Sequence, residues 1–192
     1  MAARRVANEA LTMEWTFKTK DKLDLFARLW EPEHFLGTVI VLIHGIGEHS
    51  GRYQRLATEL NRQGICVAAF DQRGHGRSAG LRGYTPSMKA WMADIATFIH
   101  DVKQRLSVST LILYGHSMGG LEVLNYVLTE PDGIDGVIVT SPHLRLAFEP
   151  PWWKRMAGRF ANRCLPHVAL TTGLKAEDLS HDATVVFAYQ AD

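Results

Sequence analysis

The chain has 192 residues, of which 46% are hydrophobic and 21% charged, a globular composition with room for one domain and a sizeable core that excludes disordered and fibrous classes. Lysine and arginine (21) nearly balance aspartate and glutamate (20), so no overall field favours nucleic acid or acidic ligands. Cys66 and Cys164 lack CxxC spacing and read as buried thiols of a reducing compartment. The opening "MAARRVANEALTMEW" has no apolar signal-peptide core, and no stretch approaches the roughly 18 apolar residues of a membrane span. The expectation is a soluble, cytoplasmic protein.

"EWTFKT" and "LDLFARLWEP" alternate around the polar turn "KDK", which predicts an antiparallel hairpin. Four continuous apolar runs follow: "TVIVLI" from Thr38, "ICVAAF" from Ile65, "LILY" from Leu111 and "VIVT" from Val137. Such runs suit parallel strands covered by helices on both faces. Helices are predicted between them. One covers Tyr53 to Gln63 and ends at Gly64, and one has its start marked by "TPS", with Pro86 acceptable in its first turn, and runs to Leu106. A third covers Met118 to Thr129. The alternation implies a mainly parallel α/β sheet with flanking helices, occupying residues 1–142. From Ser141 the rhythm fails, in a stretch that holds four of the seven prolines, and residues 143–192 read as a helical cap. Its run "TVVFAY" is equally compatible with strand and helix.

Three motifs carry chemistry. In "YGHSMGG", Gly115 and Gly119 flank Ser117 between a strand and a helix, the context of a G-x-S-x-G nucleophile elbow. The turn is too crowded for side chains two residues away, and it lifts the serine hydroxyl out at the sheet's carboxyl edge. In "IHGIGEHSGRY", the amide of Ile46 can face the serine and, with that of Met118, supply an oxyanion hole. His44 and His49 are ordinary loop histidines or, as a sharper rival, a metal pair. The intervening "GIGE" is not helical and no further ligands complete a site, so no metal is expected. In "DQRGHGRSAG", Asp71 and His75 invite a triad reading. The simpler one has Asp71 and Arg73 tying neighbouring loops together.

With these motifs in this order, together with "GVIVTSP", the chain resembles the α/β-hydrolase superfamily, specifically the monoacylglycerol lipase and lysophospholipase-like serine hydrolases. The resemblance implies the α/β-hydrolase fold, Ser117 as nucleophile, the amides of Ile46 and Met118 as oxyanion hole, no cofactor, and a small ester of a single acyl chain as substrate. A carboxylesterase, lysophospholipase or thioesterase would share the chemistry. The triad acid and histidine follow the last two strands of this fold, and those strands have no counterpart before Asp192. The acid and base are therefore expected beyond residue 192. Among internal histidines, His116 adjoins the serine but should point away from it. His143, just past "VIVTSP", is the best substitute base, although nothing orients it, and His167 and His181 fall in the cap. A non-catalytic fragment or binding protein is the rival from another class. An unpaired sheet edge would favour self-association.

Within the cap, "PPWWKRMAGRFANRCL" sets Trp152, Trp153, Met156, Phe160 and Cys164 on one helical face, with Lys154, Arg155, Arg159 and Arg163 mostly elsewhere. Such a helix buries its apolar face as a lid over the site, or lies on a membrane surface from Trp152 to Arg163.

Overall fold

The computed structural model describes residues 11–145, 151–164 and 181–191. Strands β1 (Leu11–Lys18) and β2 (Asp24–Glu31) form the expected hairpin. β2 also pairs antiparallel with β4 (Cys66–Phe70). Parallel pairing then carries the sheet through β3 (Thr38–Ile43), β5 (Thr110–His116) and β6 (Gly136–Thr140), in the order β1-β2-β4-β3-β5-β6.

β3 shows why the central runs are continuously apolar. Side chains of a strand alternate between faces, and here both faces meet a core. Val39, Val41 and Ile43 join a cluster with α2 (Met88–Arg105) and α3 (Met118–Thr129), including Phe98, Val102 and Val123. Ile40 and Leu42 join a second cluster with Ala57 of α1 (Gln54–Asn61). The α2 stripe is anchored by Phe98, whose ring lies 4.8 Å from Phe70 and 5.3 Å from Phe17. The helix starts at Met88, two residues past the proline that the sequence places in its first turn. The Ser87 hydroxyl accepts the Ala90 amide as its cap, which leaves Pro86 just outside the first turn.

Two expectations need correction. The run "VIVT" was expected to be covered on both faces, yet Val137 and Ile138 of β6 are each 41% exposed. Adjacent residues point to opposite faces, so among the described residues both faces of this strand are partly exposed, although Val139 still packs against the first cluster. Nor are both cysteines buried: Cys66 sits inside the sheet, whereas Cys164 is exposed at the end of α4 (Trp152–Cys164). The described part of α4 does not bury its apolar face either, since Trp152, Trp153, Met156 and Phe160 all stand exposed. "TVVFAY" is helical, within α5 (Ala183–Ala191). His167 lies outside the described residues, as do the side chains of Lys154, Arg159 and Arg163. Among the described residues no helix is long and apolar enough to cross a membrane.

Candidate active site

The site is assembled where β3, β4 and β5 end. β5 runs into α3 through a single residue, Ser117, with φ 52° and ψ −113°. A non-glycine residue at such angles is strained, and the surroundings must hold it there. They do so from both sides. The Ser117 amide donates to the Thr140 carbonyl at 2.9 Å, and the Ser117 carbonyl accepts the His143 amide at 3.0 Å. The end of β6 therefore pins the turn through backbone bonds.

The flanking glycines are required by close approach. A Cβ on Gly115 would come within 2.7 Å of the Gly120 Cα, and one on Gly119 within 2.6 Å of the His44 carbonyl oxygen. Glycine at these two positions lets α3 back directly onto β5 and the end of β3. At the start of α3 the first amides lack partners within the helix, so its positive end faces the strand termini beside Ser117.

The loop after β3 lies against the serine: a Cβ on Gly45 would stand 3.1 Å from the Ser117 Cβ. Ile46, next in the chain, is exposed, and Met118, directly after the serine, opens α3. The three residues singled out in the sequence are thus brought to one edge of the sheet.

His44 is fully buried. Its Nε2 lies 2.9 Å from the Gln72 amide, a group that only donates, so Nε2 carries no proton. The ring proton is then on Nδ1, which donates to the Gly45 carbonyl at 2.7 Å. Burial holds the His44 pKa down to about 4, which keeps the ring neutral. The Gln72 side chain returns a bond to the His44 carbonyl at 2.7 Å. Both imidazole nitrogens are therefore occupied, Nε2 in joining the ends of β3 and β4 and Nδ1 in holding the Gly45 carbonyl of its own loop. His49 accepts the Gly51 amide through Nδ1 at 3.1 Å, as the cap of a short turn before α1. Among the described residues no three His, Cys, Asp or Glu side chains cluster as a metal site.

The third motif ties loops together. Asp71 accepts from the Ser50 amide at 2.8 Å, from its hydroxyl at 2.5 Å and from the Arg77 amide at 2.8 Å. Arg73, almost fully buried, grips Asp94 of α2 with two bonds of 2.7 and 2.8 Å and reaches Asp21 at 3.0 Å. His75 packs edge-on to His44 with ring centres 5.3 Å apart, and burial lowers its pKa. These groups support the loops that carry the site.

The internal histidines take other roles. His116 turns its Nδ1 to the Thr140 hydroxyl at 2.9 Å. His143 contributes its backbone amide to the elbow, and its side chain is exposed. His181 is exposed near α5.

Sequence reasoning passed over Glu48 and Tyr53. Glu48 Oε1 accepts the Gly45 amide and the Tyr53 hydroxyl, the latter at 2.8 Å. The available signal was an acidic residue three positions after the glycine that starts the turn, inside the quoted "HGIGEHSGRY".

Comparison with known proteins agrees with this architecture. A family model described as "Serine aminopeptidase, S33" (Hydrolase_4) matches residues 37–192. An uncharacterized abhydrolase domain-containing protein of Dictyostelium discoideum is 36% identical over 91% of the chain and 18% of its own length. The human monoglyceride lipase is 31% identical over 88% of the chain and 55% of its own length. The crystal structure of the Paleococcus ferrophilus monoacylglycerol lipase superposes with a TM-score of 0.72 at 35% identity, covering 94% of this chain and 62% of that one. The chain thus spans a little over half of the lipases it matches. With its strained Ser117 elbow, its mainly parallel sheet and this match over most of its length, the chain belongs to the Hydrolase_4 family of serine hydrolases, with the α/β-hydrolase fold.

Proposed function

We propose that this protein is an ester hydrolase of single-chain lipids such as monoacylglycerols, acting through an acyl-enzyme at Ser117. The observation that carries the reading is the φ of 52° at Ser117, between two crowded glycines and against Gly45. Backbone strain of this kind persists where the surroundings enforce it, and here they present a hydroxyl beside two loop ends. Ser117 Oγ attacks the ester carbonyl. The Ile46 and Met118 amides take the charge that develops on the carbonyl oxygen, the alcohol leaves with a proton, and water then frees the acid. The base and the acid that orients it are assigned to later strands of the fold, since the chain order in this fold is Ser, acid, His. The choice of a lipid ester rests on the monoglyceride lipases among the relatives. In the same reading residues 143–192 form a cap over the site. Trp152, Trp153, Met156 and Phe160 stand exposed on α4, whose sequence also carries Lys154, Arg155, Arg159 and Arg163, a combination that suits contact with a lipid surface. The open edge of β6 suits association with a second strand.

The test is labelling of the full-length protein by a fluorophosphonate probe, alongside release of glycerol from monooleoylglycerol. Both should occur and both should vanish in Ser117→Ala. Probe attachment at another residue would overturn the assignment of the nucleophile, and labelling without glycerol release would overturn the substrate.

A further inference from the structure

The loop that carries Ile46 is held by two side chains, each acting on a different peptide plane of Gly45. Ahead of Gly45, the amide shared with His44 donates to Glu48 Oε1. Behind it, the peptide shared with Ile46 has its carbonyl bound by His44 Nδ1 at 2.7 Å. No cis peptide bond occurs among the described residues, and in a trans peptide the N–H points opposite to the C=O. Holding the Gly45 carbonyl on the His44 ring therefore turns the Ile46 N–H away from that ring. The approach is close enough to require glycine, because a Cβ at Gly45 would lie 2.7 Å from Glu48 Oε1 and 3.1 Å from the Ser117 Cβ.

Each clamp residue is itself fixed. His44 is locked in one tautomer by the Gln72 amide at 2.9 Å. Glu48 also takes the Tyr53 hydroxyl at 2.8 Å, and the Tyr53 ring packs edge-on to Tyr114 of β5 with centres 6.3 Å apart. Burial, reinforced by the Glu48 charge, raises the Tyr53 pKa, so the phenol stays a donor. The strand that ends in the nucleophile and the loop beside it are thereby tied through one carboxylate.

We propose that Glu48 and His44 are positioning residues that clamp the two peptide planes flanking Gly45 and so preset the Ile46 amide for the oxyanion. This rests on the reading of Ile46 as an oxyanion donor. A donor already aimed needs no reorganisation as charge develops, whereas one left free to swing loses much of its value.

The test compares Glu48→Ala, which removes the acceptor, with Glu48→Gln, which retains a carbonyl oxygen at the same place. In the full-length protein with 4-nitrophenyl butyrate, Glu48→Ala should lower kcat by about 10- to 100-fold with KM changed less than about threefold, and Glu48→Gln should stay within about threefold of the unsubstituted enzyme. Amide exchange at residues 45–47 should rise by about tenfold in Glu48→Ala alone, with Tm close to that of the unsubstituted protein. A kcat within about twofold in Glu48→Ala, or equal losses in the two variants, overturns the clamp. Should the unsubstituted protein turn over no ester, the functional reading falls. The exchange measurement still decides the clamp, and unchanged exchange in Glu48→Ala overturns it.

Discussion

The two halves of the sheet are built from similar apolar runs and are sealed very differently. Around β3 and β4 both faces are covered, and the loops at their ends are stitched by Asp71, Arg73, Asp94 and the His44–Gln72 pair. Toward β6 the cover is thinner among the described residues: Val137 and Ile138 are exposed on opposite faces, and Val139 is only partly buried against the core. On α3, Glu122 is 1% exposed with neither carboxyl oxygen hydrogen-bonded. The contrast teaches that an apolar strand is only as buried as its place in the sheet allows. Buried polar groups stabilise a region only where their partners are supplied.

The comparison can be broken first at the ion pair. Asp94→Ala strands the buried Arg73 guanidinium with only Asp21, and should cost about 3–5 kcal/mol in urea unfolding. A loss below about 1 kcal/mol would mean that the stitching on this side is decorative. Next comes packing, where the two halves can be probed with truncations of the same kind. Leu42→Ala on β3, fully buried, should cost about 2–5 kcal/mol, whereas Ile138→Ala on β6 should cost about 1 kcal/mol. Equal losses at the two sites would erase the distinction.

Glu122 sharpens the comparison through pH. Burial raises its pKa well above 4.5, and the Asp94 charge adds to the effect. A carboxyl whose pKa is higher in the folded state than in the unfolded one keeps its full contribution below the unfolded value and loses it as pH rises through the folded value. The unsubstituted protein should therefore lose stability relative to Glu122→Gln as pH rises above the ordinary carboxyl range, as followed by urea midpoints. Parallel profiles would show that Glu122 is not held protonated. The smallest effect concerns thiol chemistry. Burial pushes the Cys66 thiol up to about 12, so a maleimide should modify Cys164 alone in the folded protein, with little change in Tm.

Much of the sheet was legible because its signal is local. "TVIVLI" coincides with β3 from Thr38 to Ile43, and the helix over Met118 to Thr129 matches α3 residue for residue. The elbow was legible for the same reason, since two glycines at fixed spacing around a serine mark a turn too tight for side chains. The partial exposure of β6 was not legible, because "VIVT" has the composition of a central strand and the cover over each of its faces comes from residues distant in the chain. The apolar stripe of α4 likewise shows a helix face without saying what lies against it.

The sequence by itself determined the fold class, the strained serine between its glycines and the loop that approaches it, because each depends on residues a few positions apart. Only the tertiary structure decided what those residues touch. Asp94 meets Arg73 across 21 positions of chain, and Gln72 meets His44 across 28. His143 serves the elbow through its backbone, and Glu48 clamps Gly45 within a loop whose path no periodicity records. Hydrogen bonds between segments far apart in the chain arise from the order in which strands are laid side by side, and that order is a property of the whole packed core.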